Sequence, residues 1–309
     1  MVEITCNLIS DCNLKCKFCY VINNHNKYHD KQLSNRLIED NTKLIESIID
    51  KVQNDSVSIV LMGGELFQDR YLEQYSSQLL QMIVKIKHQC NTNNNGLSIS
   101  LMTNGIMKRV DLFCHLLKAI KQTTDVEVHC SYDFIDRFPN QNVRDRWLAN
   151  FFAIKSVVDN AFVSLTITKR SIDYILNDCN QWKAIYGLGV FVSLYENTNT
   201  DIDQLFQLSE DDVFNLLKYL YDNYRNEKWL QSLLSQQKYC LKSYFISNRC
   251  ISKCCNHELI NRDNLRRFKC TLCSHNNVDC VHFCPRYSNQ WNMCVIKRFL
   301  DYVDSKRNL

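Results

Sequence analysis

Six short runs of β-branched and apolar residues alternate with longer amphipathic stretches. The runs are Glu3–Ile9, Val57–Met62, Leu97–Met102, Val126–Tyr132, Phe162–Thr168 and Gly187–Tyr195. Between them lie Ser34–Val52, Asp69–His88, Arg109–Gln122, Val143–Val158 and Ile172–Tyr186. In the second stretch Leu72, Tyr75, Leu79, Leu80, Ile83 and Ile86 recur at helical spacing, which makes one face apolar. A helix between consecutive strands makes them parallel, with a right-handed crossover. The expected class is therefore α/β, as an open doubly wound sheet or a partial (β/α)6 TIM-like barrel. In both, chemistry collects at the C-terminal ends of the strands. A further amphipathic helix over Ser209–Tyr224 closes this body, and no internal repeat interrupts it.

The strand ends carry the chemistry. Cys12-Asn13-Leu14-Lys15-Cys16-Lys17-Phe18-Cys19 follows the first strand directly, so its thiols stand on a loop at that strand's end. Thiolates are the usual ligands of iron–sulfur clusters, and three of them leave one iron of a [4Fe–4S] cubane open. An open coordination position is what a metal centre needs to bind a substrate. The alternative is a zinc site completed by His25 or His29. Gly63-Gly64-Glu65 ends the second strand. Two glycines let backbone approach a ligand closely, and a carboxylate beside them can receive an ammonium group. The competing reading is a plain turn with an acid at a helix start. Thr103-Asn104-Gly105 closes the third strand as a turn, and Ser131-Tyr132-Asp133 closes the fourth. Asp133 can accept hydrogen bonds from ribose hydroxyls, or it can cap the next helix. Polar features at four successive strand ends outline one pocket.

Over roughly residues 1–200 the chain resembles the radical S-adenosylmethionine superfamily. That superfamily carries a Cys-x3-Cys-x-aromatic-Cys loop after its first strand, and Cys12, Cys16, Phe18 and Cys19 stand in those places. The resemblance implies that the open iron chelates the amine and carboxylate of the methionine moiety. It implies that Gly63, Gly64 and Glu65 bind the methionine amine. Ser131 and Asp133 look like the ribose-and-carboxylate motif, Phe18 would lie near the adenine, and Asn104 falls on the third-strand motif. Leu66 stands where the family often has Pro, and no glycine-rich adenine motif appears late in the barrel. The implied reaction is reductive. An electron from a flavodoxin- or ferredoxin-type donor cleaves S-adenosylmethionine to methionine and a 5′-deoxyadenosyl radical, which abstracts hydrogen from a substrate.

Cysteine and charge concentrate at the other end. Nine of the 17 cysteines lie between Cys240 and Cys294, and from Arg225 onward 15 basic residues face six acidic ones. An acidic body over residues 1–225 followed by a basic, cysteine-rich extension over 226–309 is the expected organisation. Cys270, Cys273, Cys280, Cys284 and Cys294 form a closely spaced metal-binding pattern, with Cys250, Cys254 and Cys255 upstream. This resembles the SPASM or shorter twitch extension of radical enzymes, which holds one or two auxiliary [4Fe–4S] clusters. By resemblance Cys270, Cys273, Cys280 and Cys294 ligate one, and Cys284 joins some of Cys250, Cys254 and Cys255 at a second. The middle gap is one residue longer than the family's, and the family's upstream Gly hairpin has no counterpart. A zinc knuckle of Cys270, Cys273, Cys280 and Cys284 is the alternative.

The basic extension either offsets thiolate charge, steers an acidic peptide, or contacts nucleic acid through Arg262, Arg266, Arg267 and Lys269. Enzymes with such an extension commonly modify peptide or protein side chains, which is the expected substrate class. A nucleotide or small metabolite is the competing substrate, and a zinc-binding nucleic-acid module is the reading from another class. With about ten residues before the cysteine loop, no leader-binding domain is expected ahead of it. No run reaches the ~18 apolar residues that span a bilayer, and no signal pattern opens the chain. A cytoplasmic, reducing location is therefore expected, where this many cysteines point to metal chemistry rather than disulfides.

Overall fold

The alternation is realised nearly element for element in the computed structural model. It describes residues 1–19, 32–194, 203–227, 243–247, 250–252 and 293–307. Strands β1 (Val2–Asn7), β2 (Ser56–Met62), β3 (Gly96–Thr103) and β4 (Asp125–Tyr132) come first. Helices α1 (Asn35–Ile49), α2 (Asp69–Thr92), α3 (Val110–Thr123) and α4 (Gln141–Lys155) alternate with them and lead to β5 (Ala161–Ile167). The single helix expected over Ile172–Tyr186 is instead two, α5 (Ile172–Leu176) and α6 (Asn180–Tyr186), before β6 (Val190–Leu194). The break falls at Asp178, whose φ of +48° no helix tolerates. Cys179 then restarts the chain, its sulfur accepting the Trp182 N–H at 3.4 Å as an N-cap.

The strands form one sheet in the order β6-β5-β4-β3-β2-β1-β7-β8. Neighbours among β1 to β4 pair in parallel, with Ile4 opposite Ile59 and Ile59 opposite Ile99. β7 (Ser243–Ser247) lies past the boundary expected at residue 226, yet pairs in parallel with the free edge of β1. β8 (Cys250–Ser252) returns antiparallel to β7. The outermost strands β6 and β8 are not joined, so the parallel α/β sheet is unclosed, as expected of a partial barrel.

Period-two patterning explains its two faces. Ile4, Cys6, Val57, Ile59, Leu61, Ile99, Leu101, Val126 and Val128 are buried. Glu3, Thr5, Ser58, Ser98, Glu127 and His129 point to the other face and are half-buried. There Glu127 accepts from the His129 ring at 3.1 Å and from Ser100. The bond from His129, together with that from Ser100, outweighs burial and holds the Glu127 carboxyl below its usual range.

The chain forms two compact units. The first takes in β1 to β4, α1 to α4, the first residues of β5, and β7 and β8. Its helices carry the expected stripes: α1 buries Leu37, Ile38, Leu44, Ile45, Ile48 and Ile49, and Ser34 caps it by accepting the Leu37 N–H at 3.2 Å. The second unit holds the Tyr132–Arg137 turn, the rest of β5, β6, and helices α5 to α9. In it, α7 (Asp203–Phe206) precedes α8 (Glu210–Tyr224), and α9 (Met293–Arg307) packs on α8. Arg298 sits 3.8 Å over the Phe214 ring and 2.6 Å from Asp211. Ser209 and Asp212 cap α8 reciprocally, at 3.1 and 2.9 Å. Ser209→Ala removes one orphan-donor partner and is expected to cost about 1 kcal/mol. A thermal melt should show the midpoint lowered by at most about 4 °C.

Candidate functional site

The cysteine loop is rooted by an extension of the β1–β2 ladder beyond both strands. Leu8 N donates to Met62 O at 3.0 Å, Gly64 N to Ile9 O at 2.7 Å, and Glu65 N to Asp11 O at 2.7 Å. The glycines make this approach possible. A Cβ on Gly64 would lie 2.1 Å from the Asp11 carbonyl oxygen, and one on Gly63, where φ is +157°, would lie 2.6 Å from that of Ile9. Their close neighbour is thus the chain's own backbone just ahead of Cys12. Gly64→Ala must push the two loops apart, at a cost of about 1–3 kcal/mol. It is expected to lower iron uptake on reconstitution severalfold. Gly96→Ala, whose Cβ would meet nothing nearer than 3.9 Å, is the control expected to keep uptake unchanged.

Asp11 ties the same root to the start of α2. Its Oδ2 accepts from Gln68 Nε2 at 2.7 Å, from the Tyr71 hydroxyl at 2.9 Å and from Arg70. Burial pulls the Asp11 carboxyl up, but these three hydrogen bonds outweigh it and hold it below the usual range. Gln68 Nε2 also donates to Glu65 O at 3.1 Å, so one amide holds both loops.

Glu65 is 1% exposed and clamps the end of β2 to the end of β3. Its Oε1 accepts from Phe67 N at 2.9 Å and from the Thr103 hydroxyl at 3.0 Å, and its Oε2 accepts from Asn104 N. From there the network reaches the cysteines. Asn104 Nδ2 donates to Asn13 Oδ1 at 2.6 Å and to the Cys12 sulfur at 3.6 Å. Asn13 Nδ2 donates back to Ile106 O at 2.6 Å.

Helix α4 fastens this turn from behind. Asn150 Nδ2 donates to Gly105 O at 2.9 Å and Met107 O at 2.8 Å, and Trp147 Nε1 donates to Ser131 O at 3.1 Å. Trp147 is 1% exposed and stacks on Phe151 with centroids 5.4 Å apart. It also fills the space where a Gly105 Cβ would stand, 2.7 Å from its ring. Asp133, in the second unit, is fully buried. Its Oδ1 caps the following turn by accepting from Ile135 N at 2.8 Å and from Asp136 N. Its Oδ2 has no hydrogen-bond partner among the described residues.

Cys12, Cys16 and Cys19 share the loop, with Cys16 and Phe18 buried and Cys12 and Cys19 partly so. Cys19 N donates to Cys16 O at 3.1 Å in a tight turn. Burial pushes the Cys12 thiol up to about 12, opposed by the Leu14 N–H and reinforced by Glu65, Cys19 and Cys16. A thiol gives up its proton when a metal takes it, and two N–H groups already face the Cys12 sulfur, so these donors suit a cluster with three cysteine ligands. Among the described residues no three His, Cys, Asp or Glu side chains are already gathered as a ligand set. No disulfide forms among them either. Of the extension's cysteines, Cys250 lies in β8 and Cys294 in the first turn of α9. Cys254, Cys255, Cys270, Cys273, Cys280 and Cys284 lie outside the described residues.

Sequence reasoning had placed Cys12, Glu65 and Asn104 near one another, and the network joins them. It missed Asp11, Asn13, Trp147 and Asn150, and took Thr103 only as part of the turn that closes the third strand. For Asn13, lying between two expected ligands, position alone was a signal; Trp147 and Asn150 share a helix face with nothing local to mark it.

Residues 4–146 match the family of 4Fe-4S single cluster domains, a span from β1 into α4 that contains the cysteine loop and the two loops clamped to it. No curated protein matches the sequence. Among solved structures, the fold is similar to native anSMEcpe with bound AdoMet, at 16% identity and a TM-score of 0.52, covering 73% of this chain and 61% of that one. It is similar also to native anSMEcpe with bound AdoMet and Cp18Cys peptide, at 16% identity and 0.51, covering 72% and 60%. The chain thus spans about three-fifths of the length of these structures. No helix among the described residues is long and apolar enough to cross a membrane.

Proposed function

We propose that the chain is a radical S-adenosylmethionine enzyme that cleaves S-adenosylmethionine reductively to modify a substrate, a reading supported by its fold similarity to anSMEcpe with bound AdoMet and by the match of residues 4–146 to the family of 4Fe-4S single cluster domains. The observation that carries this reading is the clamping of the Cys12–Cys19 loop to the ends of β2 and β3 through Gly64, Glu65, Asn13 and Asn104. Cys12, Cys16 and Cys19 would hold the cluster, which when bound supplies the electron that splits the cosubstrate into methionine and a 5′-deoxyadenosyl radical. The protein's own part is to orient and to exclude water. Glu65 keeps a negative charge buried beside the loop, which favours an ammonium group there. Gly63 and Gly64 keep the turn that presents Glu65 against the cysteine loop. Asp133 offers one buried oxygen without a donor, suited to hydroxyls such as those of ribose. Ser131 stands two residues before it at the end of β4, and Phe18 supplies buried apolar surface beside Cys19.

The substrate we propose is a peptide or protein side chain. Its support is the fold shared with anSMEcpe, whose structure carries a bound peptide, together with the basic, cysteine-rich sequence of residues 226–309. In that segment Cys270, Cys273, Cys280 and Cys294 would ligate an auxiliary cluster, with Cys284 and some of Cys250, Cys254 and Cys255 at a second. A flavodoxin- or ferredoxin-type protein would supply the electron in the cytoplasm. The test is anaerobic reconstitution followed by dithionite and S-adenosylmethionine, with 5′-deoxyadenosine quantified. Product is expected, and it should rise when a cognate peptide is added but not with nucleotides. An intact cluster that yields no 5′-deoxyadenosine overturns the reading.

A further inference from the structure

The Asn104 amide is fixed in one orientation. Its Oδ1 accepts the Ile106 backbone N–H at 2.8 Å, and since that group can only donate, the other end of the amide must be the NH2. The NH2 spans two acceptors, Asn13 Oδ1 at 2.6 Å and the Cys12 sulfur at 3.6 Å. Asn104 is 5% exposed, its backbone N–H is held by Glu65, and Asn13 closes the ring by donating to Ile106 O. The amide cannot turn away without breaking bonds on every side. A second donor, Leu14 N, reaches the same sulfur at 3.4 Å.

Resting on the reading that Cys12 ligates a cluster, we infer that Asn104 is a positioning residue: its amide N–H stays on the Cys12 sulfur and raises the reduction potential of that cluster. An N–H bonded to a thiolate is charge-assisted and stronger than one bonded to a thiol. It draws density from the sulfur and so favours the more negative, reduced cluster when the one-electron donor delivers its electron. Hydrogen bonds to cluster sulfurs are among the terms that set such potentials. Asn104 acts in this way through Cys12.

The test is a dye-mediated redox titration of the reconstituted full chain, read by EPR at the signal that responds to S-adenosylmethionine. Asn104→Asp keeps an oxygen for Ile106 but turns a second oxygen toward the sulfur; Asn104→Ser removes the amide NH2 and leaves only a hydroxyl on a shorter side chain. Both are expected to shift the reduced-to-oxidised ratio at fixed potential down by about tenfold, a midpoint about 59 mV lower. Asn13→Ala loosens the same turn while leaving the Asn104 donor, and should shift that ratio by less than about twofold. If the Asp variant does not fold, the Ser variant decides. Midpoints equal to wild type, or an Asn13→Ala shift as large as the Asn104 shifts, overturn the inference and leave Asn104 a brace of the turn. A wild-type chain that takes up no cluster overturns the underlying reading instead, so the two failures are distinct.

Discussion

Cys16→Ala is expected to bring 5′-deoxyadenosine formation below detection, a fall of at least about a hundredfold, or about 2.7 kcal/mol in barrier height. Three thiolates leave one iron of a cubane open; with two, a second iron loses its protein ligand and the cluster is expected to be lost. Iron content should fall by about four per chain, the size of one cluster. The fold should survive, because Cys16 sits on a loop beyond the end of β1 and its backbone carbonyl, which accepts the Cys19 N–H, is unchanged. Cys90→Ala is the matched control: that cysteine is fully buried on α2, so its removal perturbs packing without touching the loop. Anaerobic product quantification beside an iron assay and a thermal melt separates the two. Equal product from Cys16→Ala and wild type would contradict the ligand assignment.

Glu65→Gln is expected to be the most destabilising isosteric change in the first unit. The carboxylate accepts from Phe67 N, the Thr103 hydroxyl and Asn104 N while almost fully excluded from water. An amide in its place must aim an NH2 at one of these N–H groups, whichever way it is turned, leaving buried donors facing each other. Losing a buried, charge-assisted network of this kind costs about 2–4 kcal/mol. The thermal midpoint should drop by about 5–15 °C. Thr103→Val, which removes a single neutral donor, should cost about 1 kcal/mol. A Glu65→Gln melt superimposable on wild type would show that the clamp between β2 and β3 carries little of the stability.

The six strands of the body, their parallel pairing and the loops at their ends were legible because each strand announces itself by a short run of β-branched and apolar residues and the helices between them by amphipathic patterning. The split at Asp178 was not, because the apolar pattern continues from Ile175 to Trp182 and only a left-handed φ at one Asp breaks the helix. β7 escaped notice because Ser243–Ser247 is short, and its place depends on pairing with a strand more than 200 residues earlier. The strand-end residues were legible as chemistry but not as structure. Gly63 and Gly64 suggested room for a ligand, and the space they leave is filled by the carbonyls of Ile9 and Asp11. Glu65 suggested an ammonium partner, and its oxygens also hold β3. Asn13 and Asn150 act through a pair of long-range hydrogen bonds each, which leave no periodic trace in a sequence.

The most direct measurement is EPR of the dithionite-reduced, reconstituted protein, recorded with and without S-adenosylmethionine. The predicted result is a reduced [4Fe–4S] signal whose shape changes when the cosubstrate is added, and which Cys16→Ala removes. A colourless protein that binds zinc in place of iron, or a cluster signal indifferent to S-adenosylmethionine, would contradict an open iron on the Cys12–Cys19 loop.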